Sequence, residues 1–141
     1  MTDVSVGAMH QIGEVAAEVG LSLRTIRHYE EVGLVPPSGR TTGGFRLYTE
    51  RDIERLRLVK QMKPLGFTLD EMRDLLEVRD RLESEVTAHD ARDVLLGELR
   101  DYARQAEERC EKLREQLNTA EGLVRTLRRE ANRRPPGNRE R

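Results

Sequence analysis

The 141-residue chain has no tryptophan, a single cysteine and only 4% aromatic residues. One cysteine cannot close an internal disulfide, which fits a reducing cytoplasm. No apolar run approaches the roughly 18–20 residues that span a bilayer, so an integral helical membrane protein is excluded. The start, MTDVSVGAMHQIGEV, lacks a basic stretch followed by an apolar core, and no secretory signal is expected. The formal charge is −1, so the whole-chain balance says nothing in favour of nucleic acid. Charge itself is plentiful: 36% of residues are Asp, Glu, Lys or Arg, against about 25% in an average globular protein. That excess points to long solvated helices rather than one thick core.

The near-zero balance hides segregation. Residues 21–63 carry a local +4, residues 71–124 carry −6 and residues 125–141 carry +5. The basic 21–63 stretch is the natural place for a phosphate-contacting surface.

Along the chain, IGEVAAEV at 12–19 reads as a short helix with Ile12, Val15, Ala16 and Val19 on one face. Gly20 suits the positive φ at a helix end, and Ser22 suits an N-cap for a helix over 23–32 that Gly33 stops. Pro36-Pro37 forbids continuation, and Thr41-Thr42-Gly43-Gly44 is a hairpin turn signal, with Leu34-Val35 and Phe45–Tyr48 as the two flanking strands. Thr49 and Asp52 form a short-armed capping box before a helix over 50–63, striped by Ile53, Leu56, Val59 and Met62. Thr68 and Glu71 form a second box, opening a helix with Leu69, Met72, Leu75 and Leu76 on its apolar face.

From about 87 to 131 the pattern changes. There is no proline, and apolar or small residues recur at steps of three and four through Leu95, Leu99, Tyr102, Ala106, Cys110, Leu113, Leu117, Val124 and Leu127. Two 11-residue units give way to heptads near Cys110, which is a coiled-coil stripe with a change of period. A lone helix would leave that stripe in water, and self-association is the simplest cover. In an antiparallel pair Cys110 lies near the dyad, as a small hydrophobe of the seam, with an intersubunit disulfide as the second reading. The domain division is 10–78 for a compact module, 79–86 for a linker, 87–131 for the coiled coil and 132–141 for a disordered basic tail.

Within the module, Ala16, Gly20 and Ile26 stand at the spacing of a helix-turn-helix, which needs a small residue, a glycine turn and an apolar anchor. The second helix offers Arg24, Thr25, Arg27, His28 and Tyr29, donors of lengths suited to a major groove and its phosphates. The blocks S-x-R-T-I-R-x-Y-E-x-x-G-L-V-P-P, R-T-x-x-G-F-R-x-Y, D-I-x-R-L and L-G-F-T-L-D-E-M follow in order across residues 12–76. In these blocks the chain resembles the MerR family of bacterial transcription regulators.

The resemblance implies a mainly α fold: a winged helix-turn-helix DNA-binding domain, then a long helix forming an antiparallel coiled coil with its dimer mate. It places Arg24, Thr25, Arg27, His28 and Tyr29 nearest the DNA, with His28 where many members carry tyrosine. It gives Arg40, Arg46 and Tyr48 of the wing to the DNA backbone, and Lys60 to a phosphate clamp. Phe45 and Leu47 are read as wing packing with no nucleic-acid role. Arg51, Arg55 and Arg57 are read as a solvated face shared with Glu50, Asp52 and Glu54.

The expected partners are double-stranded DNA and a second copy of the chain, with RNA polymerase or a regulatory protein as further candidates. No cofactor is expected. The scattered His10, His28 and His89 and the lone Cys110 lack the grouping that metal coordination needs. The ten residues after 131 are too few to enclose a drug-sized pocket of about 300 Å3. An enzyme is disfavoured because no nucleophile–base pair or phosphate loop is present. The function so read is a sequence-specific homodimeric regulator on a pseudo-palindromic operator, acting by bending and untwisting DNA or by occlusion. The alternative is an architectural or recombination accessory protein with the same winged fold.

Overall fold

The structure, a computed structural model, describes residues 9–84 and 88–133. The elements run β1 (His10–Gln11), α1 (Ile12–Val19), α2 (Leu23–Glu31), β2 (Gly39–Arg40), β3 (Arg46–Tyr48), α3 (Glu50–Met62), α4 (Leu69–Glu83) and α5 (His89–Ala131). A 3-10 turn, Lys63–Leu65, links α3 to the loop before α4. The proposed tail falls almost wholly on residues 134–141, and the end of the proposed linker on 85–86, both outside the described residues.

Capping chemistry sets most boundaries. The Ser22 Oγ accepts from the Thr25 N–H at 3.0 Å and opens α2. Thr49–Asp52 and Thr68–Glu71 are reciprocal boxes at the starts of α3 and α4. Each satisfies two of the N–H groups that a helix start leaves unpaired. A fourth start was not anticipated: the Gln11 N–H donates to Glu14 Oε1 at 3.0 Å at the head of α1.

Two boundaries differ from expectation. The first wing strand is Gly39–Arg40 and not Leu34-Val35, and β1 joins β3 on its other side, giving the antiparallel order β1-β3-β2. Leu34 and Val35 are occupied otherwise: both N–H groups turn back to the Tyr29 carbonyl, at 2.8 and 3.1 Å, and both side chains are buried. Pro36 and Pro37 then have no N–H to give a ladder, so pairing starts only beyond them. The second difference is α4, which runs on to Glu83 through most of the proposed linker.

The core gathers Val15 and Val19 of α1, Ile26 and Tyr29 of α2, Tyr48 of β3, the full stripe Ile53, Leu56, Val59 and Met62 of α3, and Met72, Leu75 and Leu76 of α4. Each such aliphatic side chain contributes about 1.5–3 kcal/mol by leaving water. Leu69, assigned to the α4 core face, stands instead at its edge and is 36% exposed. The chain divides into two compact units, with the boundary between Arg100 and Asp101. Leu95 is buried within the first unit.

The turn between α1 and α2 has little room. Gly20 has φ +80°, and a Cβ added there would lie 2.7 Å from the Lys60 Nζ. Gly20→Ala should therefore lower unfolding stability by about 1–2 kcal/mol, chiefly through the left-handed backbone. Urea denaturation of the whole chain measures it, and an unchanged midpoint would show that the turn relaxes freely.

Candidate nucleic-acid interface

The outer face of α2 carries Arg24, Arg27 and His28, all exposed. No ion pair engages either arginine among the described residues, whereas most other basic side chains of the module have acidic or carbonyl partners. Thr25 is half-buried beside the cap, its hydroxyl 2.8 Å from that of Ser22. An open groove of about 620 Å3 is lined by Arg24, Thr25, Arg27, His28, Glu31 and Lys63. Lys63 had no assigned role. Pro64 puts it at the end of α3, but only the folded topology carries that end beside α2.

Tyr29 also lines this groove but is buried in the core beneath it. It is 4% exposed, and burial raises its phenol pKa above the ordinary value. Its ring meets His28 at a centroid distance of 6.0 Å and an angle of 45°.

The wing differs from expectation at Tyr48, which is buried, and at Phe45, which is exposed. Side chains alternate across a strand, so Arg46 and Tyr48 share one face of β3 while Phe45 and Leu47 share the other. Tyr48 looks inward, while Arg46 and Leu47 are both half-buried. The ring of Tyr48 has no exposed surface, which removes it from the backbone-contacting set. Its hydroxyl has no hydrogen-bond partner among the described residues. Burial first, and the nearby Glu30 carboxylate second, raise its pKa. Arg46 is 27% exposed and its Nε donates to Glu30 Oε1. That hydrogen bond holds the guanidinium in its charged form. Arg40, which pairs with Arg46 across the ladder, donates to the other Glu30 oxygen at 2.5 Å and to the Gly44 carbonyl at 3.1 Å. One carboxylate of α2 thus grips both wing arginines. Phe45, just before β3, is 67% exposed.

Lys60 lies at the helix-turn-helix hinge. Its Nζ donates to the Val19 carbonyl at 2.7 Å, capping the C-terminus of α1 where positive charge is favoured. An ammonium has three donors, so two are left for other acceptors.

The Arg51 and Arg57 side chains are 57% and 40% exposed, and Arg57 pairs with Glu54 at 3.6 Å as expected of a solvated face, but the three arginines also make longer-range ion pairs. Arg55 reaches both oxygens of Asp80 at 2.6 and 2.7 Å, Arg51 bridges Asp80 and Glu83 at 2.9 Å each, and Arg57 reaches Glu18 at 2.7 Å. Asp52 is also inside, 7% exposed, accepting from the Ser38 hydroxyl at 2.6 Å and the Thr49 N–H at 3.0 Å. The partners are distant in sequence and adjacent only once α4 folds along α3 and the wing returns to its head.

On α5 the stripe changes character along its length. Leu95 is buried, and Leu99, Tyr102, Ala106 and Cys110 are half-buried. Leu113, Leu117, Val124 and Leu127 are 42–56% exposed. Among the described residues no three His, Cys, Asp or Glu side chains gather as a metal site.

Two family descriptions match the chain: the MerR HTH family regulatory protein over residues 11–78, and the MerR DNA-binding family over residues 53–129. The chain belongs to the MerR family. It is 40% identical over 98 residues to the mercuric resistance operon regulatory protein of Bacillus cereus, covering 70% of this chain and 73% of that one. With the HTH-type transcriptional regulator YfmP of Bacillus subtilis it shares 36% identity over 118 residues, 83% of this chain and 81% of the other. A MerR-family regulator of Bacillus cereus superimposes with a TM-score of 0.57 at 27% identity, over 90% of this chain and 87% of that one. At the level of fold alone, HiNmlR, a MerR family regulator lacking the sensor domain and bound to promoter DNA, superimposes with a TM-score of 0.64 at 22% identity, covering 88% and 94% of the two chains. The winged helix-turn-helix with a long C-terminal helix is the architecture of this MerR protein, and it is a DNA-binding transcriptional regulator.

Because Glu30 ties wing to reading helix, Glu30→Gln should cost about 1 kcal/mol of stability, in the range of a half-exposed charge pair. Equal urea midpoints for the two proteins would show that the wing is held by its strands alone.

Proposed function

We propose that this MerR protein works in the cytoplasm as a homodimer that reads a pseudo-palindromic promoter operator, one α2 helix per half-site. The observation that carries this reading is the outer face of α2. Arg24 and Arg27 are exposed with no acidic partner, beside His28 and Lys63 on the same groove. Arginines kept free of carboxylates are available to phosphates and to guanine edges, where a well-placed arginine adds about 1–3 kcal/mol of discrimination. Arg40, Arg46 and Lys60 have a narrower part. Their remaining donors face phosphate while their bonded ones keep the wing and the hinge in place. Deformation of a spaced promoter by the bound dimer, or occlusion of it, uses the same face.

Replacing both Arg24 and Arg27 by Ala should weaken operator binding by about 100-fold and flatten the dependence on salt by up to about four phosphate contacts, two per half-site. Fluorescence anisotropy across a salt series reads both. Unchanged affinity would move the DNA surface elsewhere.

The dimer rests on α5. An amphipathic helix with Leu113, Leu117, Val124 and Leu127 in water is incomplete alone. An antiparallel mate covers the stripe and brings the two copies of Cys110 near the dyad. Leu117→Glu with Val124→Glu should halve the mass seen by sedimentation and abolish tight operator binding, since each half-site then binds independently. A protein whose mass is the same with and without the two charges would refute the α5 pairing.

A further inference from the structure

We propose that Val94 and Leu123 form a contact between two copies of this chain outside the α5 stripe, and that this contact fixes the register of the pair, with the dyad between Arg109 and Cys110. This rests on the α5 pairing above and adds to it where the partner sits and which side chains choose that place.

Val94 and Leu123 are the two most exposed large aliphatic side chains among the described residues, at 63% and 58%. Neither belongs to the stripe. Each immediately precedes a stripe residue, Leu95 and Val124, and so stands about 100° round the helix from it, on the same flank. The two-fold axis of an antiparallel pair brings like flank to like flank. With Leu95 of one copy opposite Val124 of the other, the layers Leu99–Ala120, Tyr102–Leu117 and Ala106–Leu113 follow in order. Val94 and the partner's Leu123 then share one flank, about 3 Å apart along the axis, within reach of aliphatic contact.

A heptad stripe alone does not choose a register, because a slide of seven residues keeps its apolar layers matched. The flanks choose. With Val94 on Leu123, the opposite flank sets Arg100 against the partner's Glu121 and Glu107 against the partner's Arg114, each twice by symmetry. These four side chains are exposed and have no ion pair among the described residues. The like-charge approaches are Arg109 to its own copy at the dyad and Arg92 to Arg128, and Arg92 is already held by the Leu82 carbonyl at 2.7 Å. A slide that moves the dyad to Leu113 sets Glu107 against Glu121, Arg114 against its own copy and Val94 against Glu130. A slide that moves it to Ala106 gains Glu98–Lys112 and Asp101–Arg109 but sets Arg100 against Arg114 and Glu107 against its own copy. It also turns Val94 toward Gln116 and carries Val124 and Leu127 past the start of the partner's α5. Burial of Val94, Leu123, Val124 and Leu127 therefore decides for the first register. The choice bears on DNA reading: seven residues are about 10 Å of helix, against roughly 34–36 Å between half-sites.

The test uses the full chain carrying Cys110→Ser, so that the only thiols are introduced ones. Val94→Cys with Leu123→Cys should give a cross-linked dimer on a non-reducing gel after mild oxidation, while either single variant stays a monomer band. The two thiols of one chain are about 43 Å apart along the helix, so the bond must join two copies. In a register centred on Ala106, Val94→Cys with Gln116→Cys would cross-link instead, and in a parallel pair Val94→Cys would do so alone. Either result overturns the proposed register, as does a Val94→Cys, Leu123→Cys protein that sediments as a dimer without cross-linking. If that protein and the wild type both sediment as monomers, the α5 pairing fails and the register with it. Val94→Ala with Leu123→Ala, in the wild-type background, should weaken the dimer about tenfold. An unchanged dimer dissociation constant would remove the contact.

Discussion

The Glu30 carboxylate sets the relation between α2 and the wing, the two parts proposed to face DNA. It sits on α2 and bonds Arg40 from one wing strand and Arg46 from the next. The wing hairpin β2-β3 is of minimal length and is joined to the module by β1, which pairs with β3. Two charge-assisted hydrogen bonds from one acceptor attach it to a helix that is itself anchored by Ile26 and Tyr29 in the core. Helix and wing then present their surfaces as one frame, which is what an operator contact over several base pairs requires.

The same device recurs at the helix ends. Lys60 donates to the Val19 carbonyl at the end of α1, Arg73 to the Val32 carbonyl at the end of α2, and Arg92 to the Leu82 carbonyl near the end of α4. Each cation sits where the helix dipole is negative and the last carbonyls lack partners. Together with Arg55–Asp80 and Arg57–Glu18, these contacts occupy much of the charge that the composition left unexplained. Arg24 and Arg27 stand out because nothing among the described residues claims them in this way.

Local rules were readable from the residues and long-range ones were not. Ser22, Thr49 and Thr68 are caps wherever they occur before a helix, so the starts of α2, α3 and α4 follow from three or four adjacent residues. The positive φ of Gly20 and the stripe of α3 are equally local. Which face of β3 looks inward is a different matter. Arg46-Leu47-Tyr48 alternates in either sense, and burying Tyr48 with Arg46 becomes favourable only because Glu30 waits on α2. Arg51, Arg55 and Arg57 likewise look like solvated charges until α4 brings Asp80 and Glu83 alongside. Tyr29 shows the limit within one helix: it follows the donors of the reading face in sequence, but one more residue turns the side chain by about 100° and puts its ring in the core.

Charge segregation completes the division of labour. DNA carries one negative charge per about 1.7 Å of duplex, so acidic surface near it is repelled at low and moderate salt. The −6 of residues 71–124 lies on α4 and most of α5, whereas the +4 of residues 21–63 lies on α2, the wing and α3. An approaching duplex is steered toward the second and away from the first. An acidic flank also disfavours parallel, in-register pairing of two α5 helices, which would set like charges side by side. Antiparallel pairing instead sets the acid-rich start of α5 against its end, where Arg125, Arg128 and Arg129 reverse the sign. In the proposed homodimer, the charge pattern of α5 therefore favours an antiparallel partner.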